Sequence, residues 1–223
     1  EKFYRLVQDS LHKIASMSAA LRGSESNKLV IGSTFAFANL WLAPRLPALR
    51  KALPDTHLNL LISEQYEDFG TGATDVSIRF GDGHWPGMTA HLLFAEEVYP
   101  IAARTMATLE HWETVPLLDQ PNDARDLNWM TWPQWQSKTG SAQFDECDRL
   151  NFDSYLYVLD AVRNGEGVAL GMTGLTDEFE AAHNLVQVGP RVRRERAGYY
   201  LVHPEWYPND RMLKVLISVL RRV

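Results

Sequence analysis

Lys28 to Pro54, KLVIGSTFAFANLWLAPRLPALRKALP, runs an apolar strand straight into a helix, and the join between them decides how the rest of the chain is read. Leu29 to Ile31 is a short apolar run suited to a strand buried on both faces, as in a parallel sheet. Gly32 follows, and Ser33 and Thr34 then fall where a helix leaves its first N–H groups unpaired. Donors and the partial positive charge of a helix start converge there, so the join is suited to a small anion as well as to an ordinary N-cap. Pro44 and Pro47 each remove a backbone donor, and a bent helix is expected.

Downstream, His57 to Ser63 and Asp75 to Phe80 read as the second and third strands. Strand, helix, strand, short helix, strand builds a parallel sheet through right-handed crossovers. Leu92 to Ala102, LLFAEEVYPIA, is a long strand that leaves a first lobe for a second. There Thr105 to His111 suggests a short helix, Val115 to Leu118 a strand and Asp153 to Asn164 an amphipathic helix. Gly167 to Gly171 reads as a buried strand and Thr176 to His183 as a further helix. Ala197 to His203 returns to the first lobe, which Asn209 to Val223 closes as a C-terminal helix. Upstream, Phe3, Val7, Ser10, Ile14, Met17 and Leu21 recur at spacings of four and three, the narrow stripe of a coiled-coil seam. A helix packed on its own domain shows the same period. Gly23 to Asn27 is a flexible stop before the first strand.

Two lobes joined by two crossing strands leave a cleft at the C-terminal ends of parallel strands, where open α/β sheets bind ligands. Ser33, Thr34 and Phe35 approach it from the first lobe, and Phe152-Asp153-Ser154 repeats the strand-to-helix device across from them. Tyr199 and Tyr200 alternate faces on the crossing strand, so one of them faces the cleft, and Tyr200 is taken as that one. Arg79, followed by Phe80 and Gly81, either clamps a carboxylate through two parallel hydrogen bonds or pairs with Asp75, Asp82 or a carboxylate of the other lobe. Gln65, after the second strand, is a hydrogen-bonding candidate or a solvated turn residue. Phe80, Trp85 and the Trp129 to Trp135 cluster either wall an apolar side chain or belong to a core or subunit interface. Met172 and Thr173 end a buried strand at the same rim.

Three stretches resemble the regulatory half of LysR-type transcriptional regulators, in the subgroup of the glycine-cleavage activator and the beta-lactamase regulator. They are the opening with its LAPRLPALRKALPD tail, Asp75 to Gly87 (DVSIRFGDGHWPG), and Phe152 to Met172 (FDSYLYVLDAVRNGEGVALGM). The middle one is the most specific, an Asp-Val-x-Ile-Arg-Phe-Gly strand followed by a Trp-Pro-Gly loop. The resemblance implies an α/β fold of two Rossmann-like lobes joined by two crossing strands, like type 2 periplasmic binding proteins. It implies a linker and dimerisation helix at 1–27, a first lobe at 28–101 and 200–223, and a second lobe at 102–199. By the same resemblance an effector binds between the lobes and contacts the positions of Thr34, Ser154 and Tyr200, and the hydroxyls, helix starts and Arg79 favour a small carboxylate-bearing one. The partners implied are a second or further copies of the chain, as homodimer or homotetramer, and DNA through an N-terminal winged helix-turn-helix that precedes this sequence in the family.

Composition fits that expectation. A net charge of −6 disfavours a freestanding nucleic-acid binder, which needs concentrated Lys and Arg and so a separate basic module. Cys147, the single cysteine, excludes an intramolecular disulfide. No apolar run reaches bilayer length and the start lacks a signal-peptide core, so a cytoplasmic protein off the membrane is expected. Motifs of catalysis are missing: no G-x-S-x-G, no H-E-x-x-H, no phosphate loop. The histidines are scattered, and His84 with His91 lacks a second ligand pair, so no metal or cofactor is expected. Gly165, Gly167, Gly171 and Gly174 read as turn and strand geometry. Glu96-Glu97 and Asp145-Glu146 point to opposite faces, and Ser154 has no histidine placed to activate it, so an enzyme is not expected. Arg191 to Arg196, RVRRER, reads as a solvated strand or a contact to DNA or another subunit. A solute-binding protein of a transport system shares the two-lobed cleft and is the alternative function.

Overall fold

The computed structural model describes residues 28–64, 73–108, 112–121, 129–207 and 210–221. The expected linker helix at 1–27 and the site candidate Gln65 lie outside the described residues. The opening strand forms as read: β1 (Lys28–Ser33) pairs in parallel with β2 (His57–Ile62) along its whole length and with β3 (Val76–Gly81) on its other side. Between β1 and β2 the chain is continuously helical, through Phe35–Phe37, a π-type turn at Ala38–Leu42 and Ala43–Ala52, together called α1. The wide π-type turn sits directly ahead of Pro44, whose ring crowds the preceding turn.

The sheet then turns antiparallel. Its order is β2-β1-β3-β9-β4-β7, with β4 (Met88–Ala103) and β9 (Val192–Pro204) as the long members, β7 (Ala169–Met172) beyond them, and β8 (Leu185–Gln187) also paired with β4. The first half of β4 pairs with β9 and its second half with β7 and β8, so these two strands carry the chain between lobes. At the crossing, the pair Ala95 with Gly198 is followed by Glu97 with Arg193, so Glu96 alone stands opposite Arg194 to Ala197. Arg196 takes up the slack in the left-handed region, at φ 65°. Such a bulge bends a strand and sharpens its twist.

Both crossing strands are longer than their apolar patterns suggest. Half-buried Thr89 and His91 lie on β4, and on β9 Arg193, Glu195 and Arg196 are exposed while Arg194 is half-buried against Glu96. A small parallel pair, β5 (Leu117–Asp119) with β6 (Arg149–Asn151), joins the second lobe through a bridge from Leu117 to Val168. The helices there are α2 (Trp132–Thr139), α3 (Tyr155–Arg163) and α4 (Asp177–His183), while α5 (Asp210–Leu220) returns to pack on α1. The helix expected at Thr105 to His111 is reduced to a single 3₁₀ turn at Arg104–Met106, with 109–111 outside the described residues.

Trp41, Phe37, Leu29, Ile31 and Leu49 are buried in the first lobe, and Trp132, Trp135, Phe144 and Ile101 in the second. Trp132 and Trp135 therefore belong to the core: their rings meet edge to face at 5.8 Å, and their indole N–H groups donate to the Leu118 and Pro190 carbonyls at 3.2 and 3.1 Å. Phe37, Trp41, Phe94 and Tyr199 form an aromatic cluster where the lobes join, with centroids 4.8 to 6.0 Å apart.

Candidate functional site

A cavity of about 60 Å³ lies between the lobes. The first lobe contributes the β1–α1 join, with Thr34, Ala36 and Phe37, together with Glu64 after β2, Phe80 on β3 and Tyr199 on β9. The second contributes Leu118, Asp119 and Gln120 at the end of β5, Ser154 and Tyr155 at the start of α3, and the apolar ends Leu170, Met172 and Leu175. Trp129 and Met130 complete the wall.

Thr34 and Ser154 come together as the sequence suggests. Each is an extended N-cap residue, and neither side chain bonds to its own helix. At the α1 join the capping role falls instead to Glu64, whose Oε1 accepts the Phe35 N–H at 3.0 Å. Phe80 lines the cavity too, packed against Tyr199 with 5.1 Å between centroids.

Other candidates are placed elsewhere, and strand parity explains most of them. Phe80 opposes Tyr199 and Arg79 opposes Tyr200 in the β3–β9 register, so Arg79 and Tyr200 share the face of the sheet away from the cavity. Tyr200 packs there against Trp85, at 5.7 Å, which corrects the choice between the two tyrosines. Arg79 is buried and its Nε donates to Ser77 Oγ at 2.9 Å, so a carboxylate clamp in the cleft does not fit its position. Ser33 still belongs to β1 and is fully buried outside the cavity wall. Phe35 turns its ring to solvent, 52% exposed, and offers the site only its N–H. Thr173 lies just past β7, where its Oγ1 accepts from Arg191 Nη1 at 3.1 Å, while Met172 before it reaches the cavity.

The residues that sequence reasoning passed over are mainly polar neighbours of those it chose. Glu64 precedes Gln65; Tyr155 follows Ser154 and donates its phenol to the Leu170 carbonyl at 2.6 Å, burial pushing that phenol well above its ordinary pKa. Gln120 donates to the Asp153 carbonyl at 3.0 Å, tying the end of β5 to the turn before α3. Asp119 carries the negative charge of the second lobe's side, with Arg149 at 4.0 Å. Behind Met130 lies Glu96, 1% exposed, which faces Arg194 at 3.2 Å. Burial outweighs that ion pair and a hydrogen bond with the Met130 backbone, and raises the carboxyl to about 7. Among the described residues no group of His, Cys, Asp or Glu is arranged to hold a metal ion, and no helix is long and apolar enough to cross a membrane.

The arrangement can hold a small molecule by hydrogen bonds from two lobes at once. Comparison with known proteins agrees. The profile of the LysR substrate binding domain matches residues 22–223. The AhcY transcriptional activator HvrB of Rhodobacter capsulatus is 28% identical over 211 residues, covering 92% of this chain and 70% of that protein. The glycine cleavage system transcriptional activator of Escherichia coli is 27% identical over 180 residues, covering 80% of this chain and 59% of that protein, so the chain spans well under the full length of either relative. Among solved structures, the effector domain of the transcriptional regulator AmpR of Pseudomonas aeruginosa superposes with a TM-score of 0.68 at 24% identity, over 87% of this chain and 93% of that one. This chain belongs to the LysR substrate binding domain family, which is not an enzyme family, and has the two-lobed, periplasmic-binding-protein-like fold of LysR regulatory domains.

Proposed function

We propose that this chain is the effector-sensing and oligomerisation part of a cytoplasmic LysR-type transcriptional regulator that binds a small metabolite between its lobes. The observation that carries this reading is the pairing of Thr34 and Ser154: two hydroxyls from opposite lobes face one cavity, and neither caps its own helix. A ligand that accepts or donates to both ties the lobes together and favours one degree of closure. It alters DNA binding only by its difference in affinity for two arrangements, since equal affinity shifts nothing. Base reading falls to a separate basic domain, in keeping with the net charge of −6. Residues 1–27 serve as the linker helix of a homodimer or homotetramer, with 28–101 and 200–223 as one lobe and 102–199 as the other. The transport alternative is set aside, because the curated relatives named above are transcriptional activators.

The test is thermal unfolding against amino acids, dipeptides and small organic acids. Binding to the native state alone adds about 2.7 kcal/mol of stability when free ligand is about a hundred times its dissociation constant. A shift from one chemical class that is lost in Thr34→Val and Ser154→Ala supports the reading. Undiminished binding in both folded variants rejects it.

A further inference from the structure

A carboxylate stands behind one strand of the cavity wall. Leu170 and Met172 of β7 line the cavity, so Gly171 between them faces the other way, paired with Tyr99 of β4 in the antiparallel register. A Cβ on Gly171 would lie 2.9 Å from Glu180 Oε1 of α4, so the strand lacks a side chain at the point where that carboxylate packs against it. Thr176, fully buried at the N-cap of α4, bonds to no N–H of its own helix. Its hydroxyl is instead 2.5 Å from Glu180 Oε1, which also accepts from the Tyr99 phenol at 3.1 Å. The same Thr176 oxygen accepts the Met172 N–H at 2.8 Å and lies 3.0 Å from the Met172 carbonyl. Glu180 is outside the cavity wall, yet one hydroxyl separates it from the backbone of a residue that lines the cavity.

A hydroxyl has one proton to give. With Glu180 ionised, Thr176 donates it to the carboxylate. With Glu180 protonated, the acid proton can point at Thr176 Oγ, whose two lone pairs accommodate it beside the Met172 N–H. The Thr176 proton then turns to the Met172 carbonyl, which already accepts the Leu175 and Thr176 N–H groups at 3.1 and 2.9 Å. The two states pull differently on the end of β7. We infer that Glu180 is a positioning residue of the effector cavity: acting through Thr176 it sets the end of β7 at Met172, and its charge state is registered in the cavity wall. The titratable and charged groups around it are Asp177 on its own helix, Tyr99 from β4, Tyr155 from α3, and Arg191 just ahead of β9, whose guanidinium covers the Tyr99 ring at 4.2 Å. Burial raises the Glu180 carboxyl above its ordinary 4.5, with Asp177 adding to the rise and the Thr176 and Tyr99 hydrogen bonds and Arg191 opposing it. The inference rests on the effector-sensing reading for the role of the cavity.

Methyl NMR of isotope-labelled methionine, on the full chain with no ligand added, tests it. The expected result is a Met172 methyl signal, assigned by its loss in Met172→Leu, that titrates with a midpoint above 4.5. Glu180→Gln keeps the shape and abolishes that titration. Tyr99→Phe deletes one donor to the carboxylate, leaves Arg191 a ring to stack on, and moves the midpoint up. A Met172 signal indifferent to pH overturns the inference, and so does one that titrates unchanged in folded Glu180→Gln. A midpoint that stays or falls in Tyr99→Phe overturns it as well. No effector takes part, so these outcomes leave the role of Thr34 and Ser154 untouched, while undiminished ligand binding in Thr34→Val and Ser154→Ala removes that role and leaves the Met172 titration to be read.

Discussion

Glu96 shows how a single side chain ties the site to pH. Its carboxyl is buried where β4 changes partners, and burial raises its pKa from an ordinary 4.5 to about 7 despite Arg194 at 3.2 Å. Between those two values the folded chain keeps a proton that the unfolded chain releases. Stability is therefore favoured on the acid side and falls as pH rises from about 4.5 to about 7, by on the order of 3 kcal/mol over the whole interval. Glu96→Gln keeps the shape and removes the titration. Urea unfolding should find the variant gaining on the parent chain from about pH 5 to about pH 7 and the difference levelling off above that. A difference that stays flat over that range would show that the buried carboxyl is already ionised at pH 5. The same residue marks the limit of sequence reading at this scale. Glu96-Glu97 is visible as a carboxylate pair, yet which one points inward depends on a bulge that puts Glu96 alone opposite four residues of β9. That Thr34 and Ser154 stand at helix starts is legible because N-cap position is a local signal. Tyr199 and Arg79 were not, because their orientation is set by the β3–β9 register, a pairing across more than a hundred residues of chain.

At the scale of elements, Gly174 closes β7 onto α4 in the left-handed region, at φ +83°, and a Cβ there would stand 2.7 Å from the Phe94 ring. Gly174→Ala adds backbone strain to a collision inside the aromatic join between lobes. The expected loss is roughly 1–3 kcal/mol in chemical unfolding, and a variant as stable as the parent would show that Phe94 yields freely. This turn belongs to the glycine-rich stretch that the sequence assigns to turn and strand geometry. Elements with strong apolar periods, such as β1, α3, β7 and α5, form within a few residues of expectation. Those that escaped notice are short or polar: β6 is Arg-Leu-Asn and exposed throughout, and β8 is three residues on the margin of β4. The helix α2 is different, since its signals are all in the sequence. Thr131 donates its N–H to the Gln134 side chain at 3.1 Å, Pro133 stands in the first turn, and Gly140 ends the helix at φ 64°. Trp132 and Trp135 in that stretch, open in the sequence between cavity wall and core, turn their rings to the core.

For the whole molecule the question is how firmly the two lobes hold their closure. About 60 Å³ of cavity has room for about four to six waters, which suits a ligand of amino-acid size and leaves anything larger to a more open arrangement. Among the described residues the join is spanned by the bulged crossing of β4 and β9, by the Phe37–Trp41–Phe94–Tyr199 cluster, and by an ion pair from Arg45 of α1 to Glu178 of α4 at 3.2 Å. The pair is weak as a tether because Glu178 is 58% exposed, and screening leaves it at most about 1 kcal/mol. Arg45 is nonetheless fixed in place. It stacks on the Trp41 ring at 4.3 Å and donates to the Trp41 carbonyl at 2.9 Å, so its charge remains at the rim when its partner is changed. Glu178→Arg then sets two cations against each other across the lobes, converting a small attraction into a repulsion of similar size. A change of about 1.4 kcal/mol shifts a two-state population ten-fold. If closure is held by margins of that order, small-angle scattering should record a larger radius of gyration for Glu178→Arg, reversed by ligand. An unchanged radius would place the closing force in the aromatic join, and ligand would then have to act within the closed cavity and not by drawing the lobes together.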